Sequence, residues 1–209
     1  LDELRIRALV EGMSVLRGQS VEGRTLAFQL WRDSLRHLVL TTELNDLEAG
    51  ILKPLIPDIE ALLGHPVADV PELPGRAGFQ RLTSTIVDLF LHQKKPLLLI
   101  LEDLQWATES LLPLNELCRA LAKTPVMVVG SYRNDEAPTL AQELPDMMPI
   151  VLHRLKEEEI SELCLSMLGS TGQQPEVTAL LQRETEGNVF FLVEVVRALA
   201  EEAGSLAEI

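Results

Sequence analysis

Aromatic residues are scarce in this chain: they make up 4% of 209 residues, as two Trp, one Tyr and five Phe. A core must therefore be built mostly from Leu, Val, Ile and Ala, with Trp31 and Trp106 read as anchors within it. Cysteine is nearly absent. Cys118 and Cys164 lie far apart inside helical patterns, which argues against a disulfide framework and for a reducing, cytoplasmic setting. Basic residues are outnumbered, 18 Lys and Arg against 32 Asp and Glu, for a formal net charge of -14. Nucleic-acid surfaces need clustered cations, so the balance argues against that class, whereas it does not forbid a small anion held by a few local donors. No apolar run approaches the roughly 18 to 20 residues of a membrane span, and no signal-peptide pattern is present. His37, His65, His92 and His153 are scattered without metal-ligand spacing, and no nucleophile elbow occurs.

What the chain does have is 46% hydrophobic residues, enough for one real domain or a domain with a small appendage. LDELRIRALVEG opens as an amphipathic helix, apolar at Leu1, Leu4, Leu9 and Val10 and stopped by Gly12. Met13 to Val21 reads as a strand and Thr25 to Leu40 as a helix. Two short helices follow, broken near Pro54 and Pro57. A Pro- and Gly-rich connector spans Gly64 to Gly78. The pattern then gives a helix from Phe79 to His92, a strand ending at Asp103, and a helix from Thr108 to Ala122. A strand from Val126 to Tyr132, a short helix near Thr139 to Leu144, and a strand from Pro149 to Leu155 complete this part. From Lys156 only helices remain, and the acid run Glu157 to Glu159 reads as a solvated first turn. Strand–helix alternation predicts an α/β fold, a parallel sheet with flanking helices, over residues 1–155. A small helical subdomain is expected over 156–209.

PLLLILEDLQWA is the stretch that carries chemistry. Leu97 to Leu101 is apolar on both faces, as in an interior strand of a parallel sheet. Open α/β sheets bind ligands beyond the carboxyl ends of their strands, and Glu102 and Asp103 stand there. Because successive strand residues point to opposite faces, the two acids are expected in different environments. One could hold a metal ion while the other orients a water, the division of labour in phosphoryl transfer. The plain alternative is a pair of solvated turn acids ahead of a helix capped by Thr108.

An apolar strand followed by EDLQWA and a helix resembles the Walker B segment of the STAND class of P-loop ATPases, relatives of the AAA proteins found in bacterial signalling regulators. Leu104, Gln105, Trp106 and Ala107 carry the match, with Glu102 where Asp is commoner and Thr108 where an acid is usual. VMVVGSYRNDE resembles the family's next strand, with Arg133 at the sensing position; its plain reading is a salt bridge to Asp135 or Glu136. HRLKEEEISELC resembles the entry to the family's helical lid. ETEGNVFFLVEVVRAL resembles the Gly-Asn-Pro-Phe-Phe-Leu element near the adenine, with Val189 in place of Pro; Phe190 and Phe191 read equally as core residues.

The resemblance covers Leu1 to about Glu202. It implies a site for ATP and Mg2+ between sheet and lid, in which Glu102 holds the metal, Asp103 positions water and Arg133 senses the γ-phosphate. Gly187, Asn188 and Phe190 would lie near the adenine. It further implies a regulatory switch whose nucleotide state controls attached or partner signalling domains. The phosphate-binding signature G-x-x-x-x-G-K-[ST] is nowhere in the sequence. The resemblance therefore implies a fold without its first strand and loop, in a family strand order of 5-1-4-3-2. Either the chain is a piece of a longer protein, or something else fills the gap. A rearranged sheet would do so, as would a strand from a second copy joining through an exposed sheet edge. A non-catalytic interaction scaffold with a degenerate ATPase fold is the competing expectation.

Overall fold

The computed structural model describes residues 1–23, 27–169 and 174–207, with the backbone alone over 200–207. The chain forms two compact units, Leu1–Pro149 and Ile150–Ile209.

In the first unit, α1 (Asp2–Val10) leads into strand β1 (Ser14–Gln19). Helices α2 (Arg32–Thr41), α3 (Asp46–Leu52), α4 (Ile59–Leu63) and α5 (Arg76–Leu91) connect β1 to β2 (Leu97–Glu102). Helix α6 (Leu111–Ala120) then crosses to β3 (Val126–Gly130), and α7 (Leu140–Glu143) follows. The three strands form a parallel sheet in the order β1-β2-β3. Mixed α/β architecture with flanking helices is thus what the alternating pattern predicted.

The central strand explains the sheet. Leu97, Leu99 and Leu101 enter a large core with Leu16, Leu30, Trp31, Leu35, Phe90 and Leu114. Leu98 and Ile100 face the other way, into a small cluster with Ala8 of α1. A strand with neighbours on both edges and apolar cover on both faces has no use for a polar side chain, hence the unbroken LLLIL. The two layers are unequal. Helix α1 supplies Ala8 and Leu4 to its face, while Leu1, Leu9 and Val10, expected on the apolar face, are exposed. The patch beneath α1 is too small to cover a full stripe.

Several predicted elements begin or end differently. Of the helix expected from Thr25, residues 25 and 26 lie outside the described residues; from Phe28, which has a left-handed φ of 61°, the chain makes one 3-10 turn before α2. This detour lets the Leu30 carbonyl come close to Gly18, where a Cβ would sit 2.1 Å from that oxygen. The largest correction is the strand expected over Pro149 to Leu155. It is not a strand, and Leu152 is 90% exposed. It pairs with no strand among the described residues, and its end goes elsewhere: the Leu155 N–H donates to the Gly187 carbonyl at 2.8 Å. That tie explains why the division falls at Pro149 rather than after Leu155. On β3, the edge away from β2 has no partner strand among the described residues, and Met127 is 52% exposed there.

The second unit contains α8 (Glu157–Leu168), α9 (Pro175–Thr185) and α10 (Val189–Ala207). Ile160, Cys164, Leu181, Leu192 and Val196 form its core. Pro175 opens α9 at a position where its missing N–H costs nothing, and the Glu159 carboxylate accepts from the Lys156 N–H at the start of α8.

Trp31 ties the helical layer to the sheet. It is fully buried, lies edge-on to Phe90 at 5.6 Å, and donates its indole N–H to the Ser110 carbonyl at 2.9 Å. Trp31→Ala is expected to lower unfolding free energy by about 3–5 kcal/mol. Trp31→Phe, which keeps a ring but orphans the carbonyl, should cost about 1–3 kcal/mol. Urea titrations of the two variants check both values.

Candidate functional site

The carboxyl end of β2 is held by backbone bonds on both sides. The Ser20 N–H donates to the Glu102 carbonyl at 3.0 Å, and the Ser131 N–H to the Leu101 carbonyl at 2.9 Å. Asp103 then leaves the strand in the left-handed region, with a φ of 57°, a conformation Asp tolerates better than most residues. The Leu104 N–H donates to the Ser131 carbonyl at 2.9 Å, locking the turn onto β3. Gly130 makes room: a Cβ there would lie 2.5 Å from the Leu104 Cδ1.

This turn overturns the expectation that the two acids face opposite sides. Glu102 is in register with Gln19, so its side chain shares the face of Gln19 and of Arg17, two residues earlier. Its Oε2 accepts from the Arg17 guanidinium at 2.6 Å. Strand alternation stops at Glu102, and the left-handed residue swings the next carboxylate back, so that Asp103 Oδ2 accepts from the Gln19 amide at 2.8 Å. Both acids therefore address β1 from one face of the sheet. The Glu102 carboxylate, in turn, raises the Arg17 guanidinium above its ordinary pKa by hydrogen bonding and then by charge. Asp2 of α1 adds a second, longer contact to Arg17 at 3.4 Å.

Around the pair stand further members of the LQWA motif. The Gln105 amide approaches Asp103 Oδ1 at 3.5 Å, and Gln105 Oε1 accepts from the Arg133 N–H at 3.2 Å. Arg133 is thereby placed at the same sheet end, but its exposed guanidinium pairs with Glu136 at 2.9 Å and lies 5.9 Å from the Trp106 ring centroid. Trp106 is half-buried and is not an interior anchor. Thr108 makes no cap bond to a helix; the chain passes through a 3-10 turn with Thr108 at φ 35° before α6 begins at Leu111. The helix start thus lies three residues beyond the expected cap.

The residues matched to the adenine-side element all belong to the second unit. Gly187 has φ 75°, and a Cβ there would fall 2.2 Å from the Leu155 carbonyl, so no other residue fits without movement. Asn188 accepts the Phe190 and Phe191 N–H groups at 3.0 and 3.4 Å, which makes it the cap of α10. Phe190 and Phe191 are 68% and 55% exposed and meet edge to face, so neither is the core residue it could have been.

Among the described residues, no three His, Cys, Asp or Glu groups gather as a metal site. Two adjacent acids suffice for Mg2+ only when phosphate oxygens and waters complete the shell, which is its ordinary mode of binding. Arg17 and Gln19 are the participants that sequence reasoning missed. Their signal was available: polar residues at alternate positions in the carboxyl half of an apolar strand. Comparison with family models, curated proteins and solved structures finds no match to this chain. Among the described residues, no helix is long and apolar enough to cross a membrane.

The thiols take no part in the site. Burial pushes Cys118 up to about 11, with Asp146 adding to the shift, and burial raises Cys164 as well. At pH 8 the Cys118 thiolate fraction falls about a hundredfold below that of an unperturbed thiol. Alkylation of the native chain should be slower by at least that factor than in urea, as followed by mass spectrometry.

Proposed function

We propose that this chain is the nucleotide-responsive core of an ATP-hydrolysing regulatory switch of the STAND type, acting in a cytoplasmic signalling or transcription-regulating protein. The observation that carries the reading is the convergence at one sheet end of two consecutive acids, each held by a separate donor on β1, with Arg133 anchored beside them through Gln105. In this reading the P-loop type of fold has its Walker B strand in β2. Arg17 engages one oxygen of Glu102, leaving Oε1 to face the water shell of Mg2+. Asp103, oriented by Gln19, positions the attacking water. Arg133 exchanges Glu136 for the γ-phosphate. The reading requires a phosphate-binding loop, which these 209 residues do not contain. ATP and ADP would bias two arrangements of the helical unit and so control a signalling partner.

One set of contacts favours the scaffold reading: Glu102 is neutralised by Arg17 and Arg133 by Glu136, so both charges are satisfied without nucleotide. The two readings separate on enzymology. The 209-residue chain alone should show no Mg-dependent ATP hydrolysis. The full-length protein should bind Mg-ATP and turn it over. Asp103→Asn should slow turnover at least about a hundredfold while binding is retained. A full-length protein that binds no nucleotide, or an Asp103→Asn variant with unchanged turnover, overturns the switch and leaves the scaffold.

A further inference from the structure

A cleft opens at the carboxyl end of β1, beside the acid pair and sharing Gln19 with it. It has a volume of about 360 Å³ and is lined by Gln19, Val21, Gln29, Leu30, Arg32, Asp33 and Arg36. That size is in the range of small-molecule sites. A narrow recess of about 10 Å³ adjoins it, sharing Val21, Gln29 and Leu30 and adding Ser20 on one side and Trp106, Ala107, Thr108 and Ser110 on the other.

The polar groups of this wall are unevenly satisfied. Gln29 Oε1 is buried and accepts no hydrogen bond, and the Ser20 hydroxyl, in a residue only 7% exposed, has no partner either. Buried oxygens without donors cost stability, and their retention marks a place where a donor arrives from outside. Arg36 is already engaged: it pairs with Asp58, whose carboxyl it holds below its ordinary range, with Arg32 contributing only a weaker through-space charge. Arg32 and Asp33, by contrast, make no ion pair at contact distance among the described residues. They stand side by side at the start of α2, where the positive end of the helix dipole also favours an anion near Arg32.

The wall thus presents one unpaired cation, one unpaired anion and buried acceptors. A simple anion would satisfy Arg32 but meet Asp33 and leave Gln29 without a donor. A simple cation would do the reverse. We propose that this cleft binds a small zwitterion with the head group of a free α-amino acid, its carboxylate on the Arg32 guanidinium and its ammonium on Asp33 and Gln29 Oε1. Gln19, which lines the same cleft, also donates to Asp103, so an occupant would touch the residue that orients that acid.

The test is thermal-shift and calorimetric titration of the 209-residue chain with a panel of free L-amino acids. The panel is paired with their amides, which lack the carboxylate, and their N-acetyl forms, which lack the ammonium. Inorganic phosphate and ATP are added as separate probes. At least one free amino acid is expected to bind saturably, both blocked forms to bind at least tenfold more weakly, and ATP not to compete. Arg32→Gln and Gln29→Met should each weaken binding at least tenfold without lowering the ligand-free unfolding midpoint, which Gln29→Met should raise by removing an unpartnered buried oxygen. If no free amino acid binds, if a blocked form binds equally well, or if phosphate binds as tightly, the proposal fails. Competition by ATP would also overturn it as a separate site, whereas absence of ATP turnover in the full-length protein would leave it standing.

Discussion

The first unit depends on one strand that is enclosed from four directions. β2 has a neighbour on each edge, the large core on one face and α1 on the other. Every backbone group along it is paired and its apolar residues are excluded from water, so it has no freedom to shift register. The chain first meets solvent at Glu102 and Asp103. Whatever these acids do, they do it from the most constrained position in the unit, which is where a precise carboxylate geometry can be held.

The inequality of the two sheet faces decides what surrounds that position. The thick face is filled by Leu, Ile, Trp and Phe and admits no charge. The thin face, under a helix that buries little, ends in Arg17 and Gln19, and it is these that receive the acids. The left-handed backbone at Asp103 makes this arrangement possible, because an extended residue there would have sent its carboxylate toward the opposite side. A local backbone choice and the poor cover supplied by α1 together produce the donor–acceptor pairs.

Element order was legible because strand and helix periods differ and because Pro and Gly mark the breaks. The apolar run of β2, the pair of helices divided at Pro54 and Pro57, and the three helices after Lys156 all follow from such local signals. What was not legible depended on distant partners. Pro149 to Leu155 has the composition of a strand, but a strand is defined by its neighbour, and among the described residues no edge receives it. Phe190 and Phe191 look like core residues by hydropathy, yet Asn188 starts α10 with both rings turned outward. Arg17 and Gln19 showed in the sequence only as polar residues at alternate positions of a strand; that they meet Glu102 and Asp103 depends on register with β2, which no single segment encodes. The placement of Asp103 required a dihedral angle that alternation alone cannot supply.

The exposed run from Met148 to Leu152 has a consequence for handling the molecule. It carries no charge over five residues, it is rich in β-branched and other apolar side chains, and Leu152 is almost wholly in water. Exposed apolar residues such as Ile150, Val151 and Leu152 associate through their side chains once chains meet often enough, while Pro149 removes one donor from any backbone ladder. The net charge of -14 opposes such encounters at low ionic strength, and added salt removes that opposition. Colloidal behaviour is therefore set by a competition between a short sticky ribbon and a long-range repulsion, with ionic strength as the dial between them.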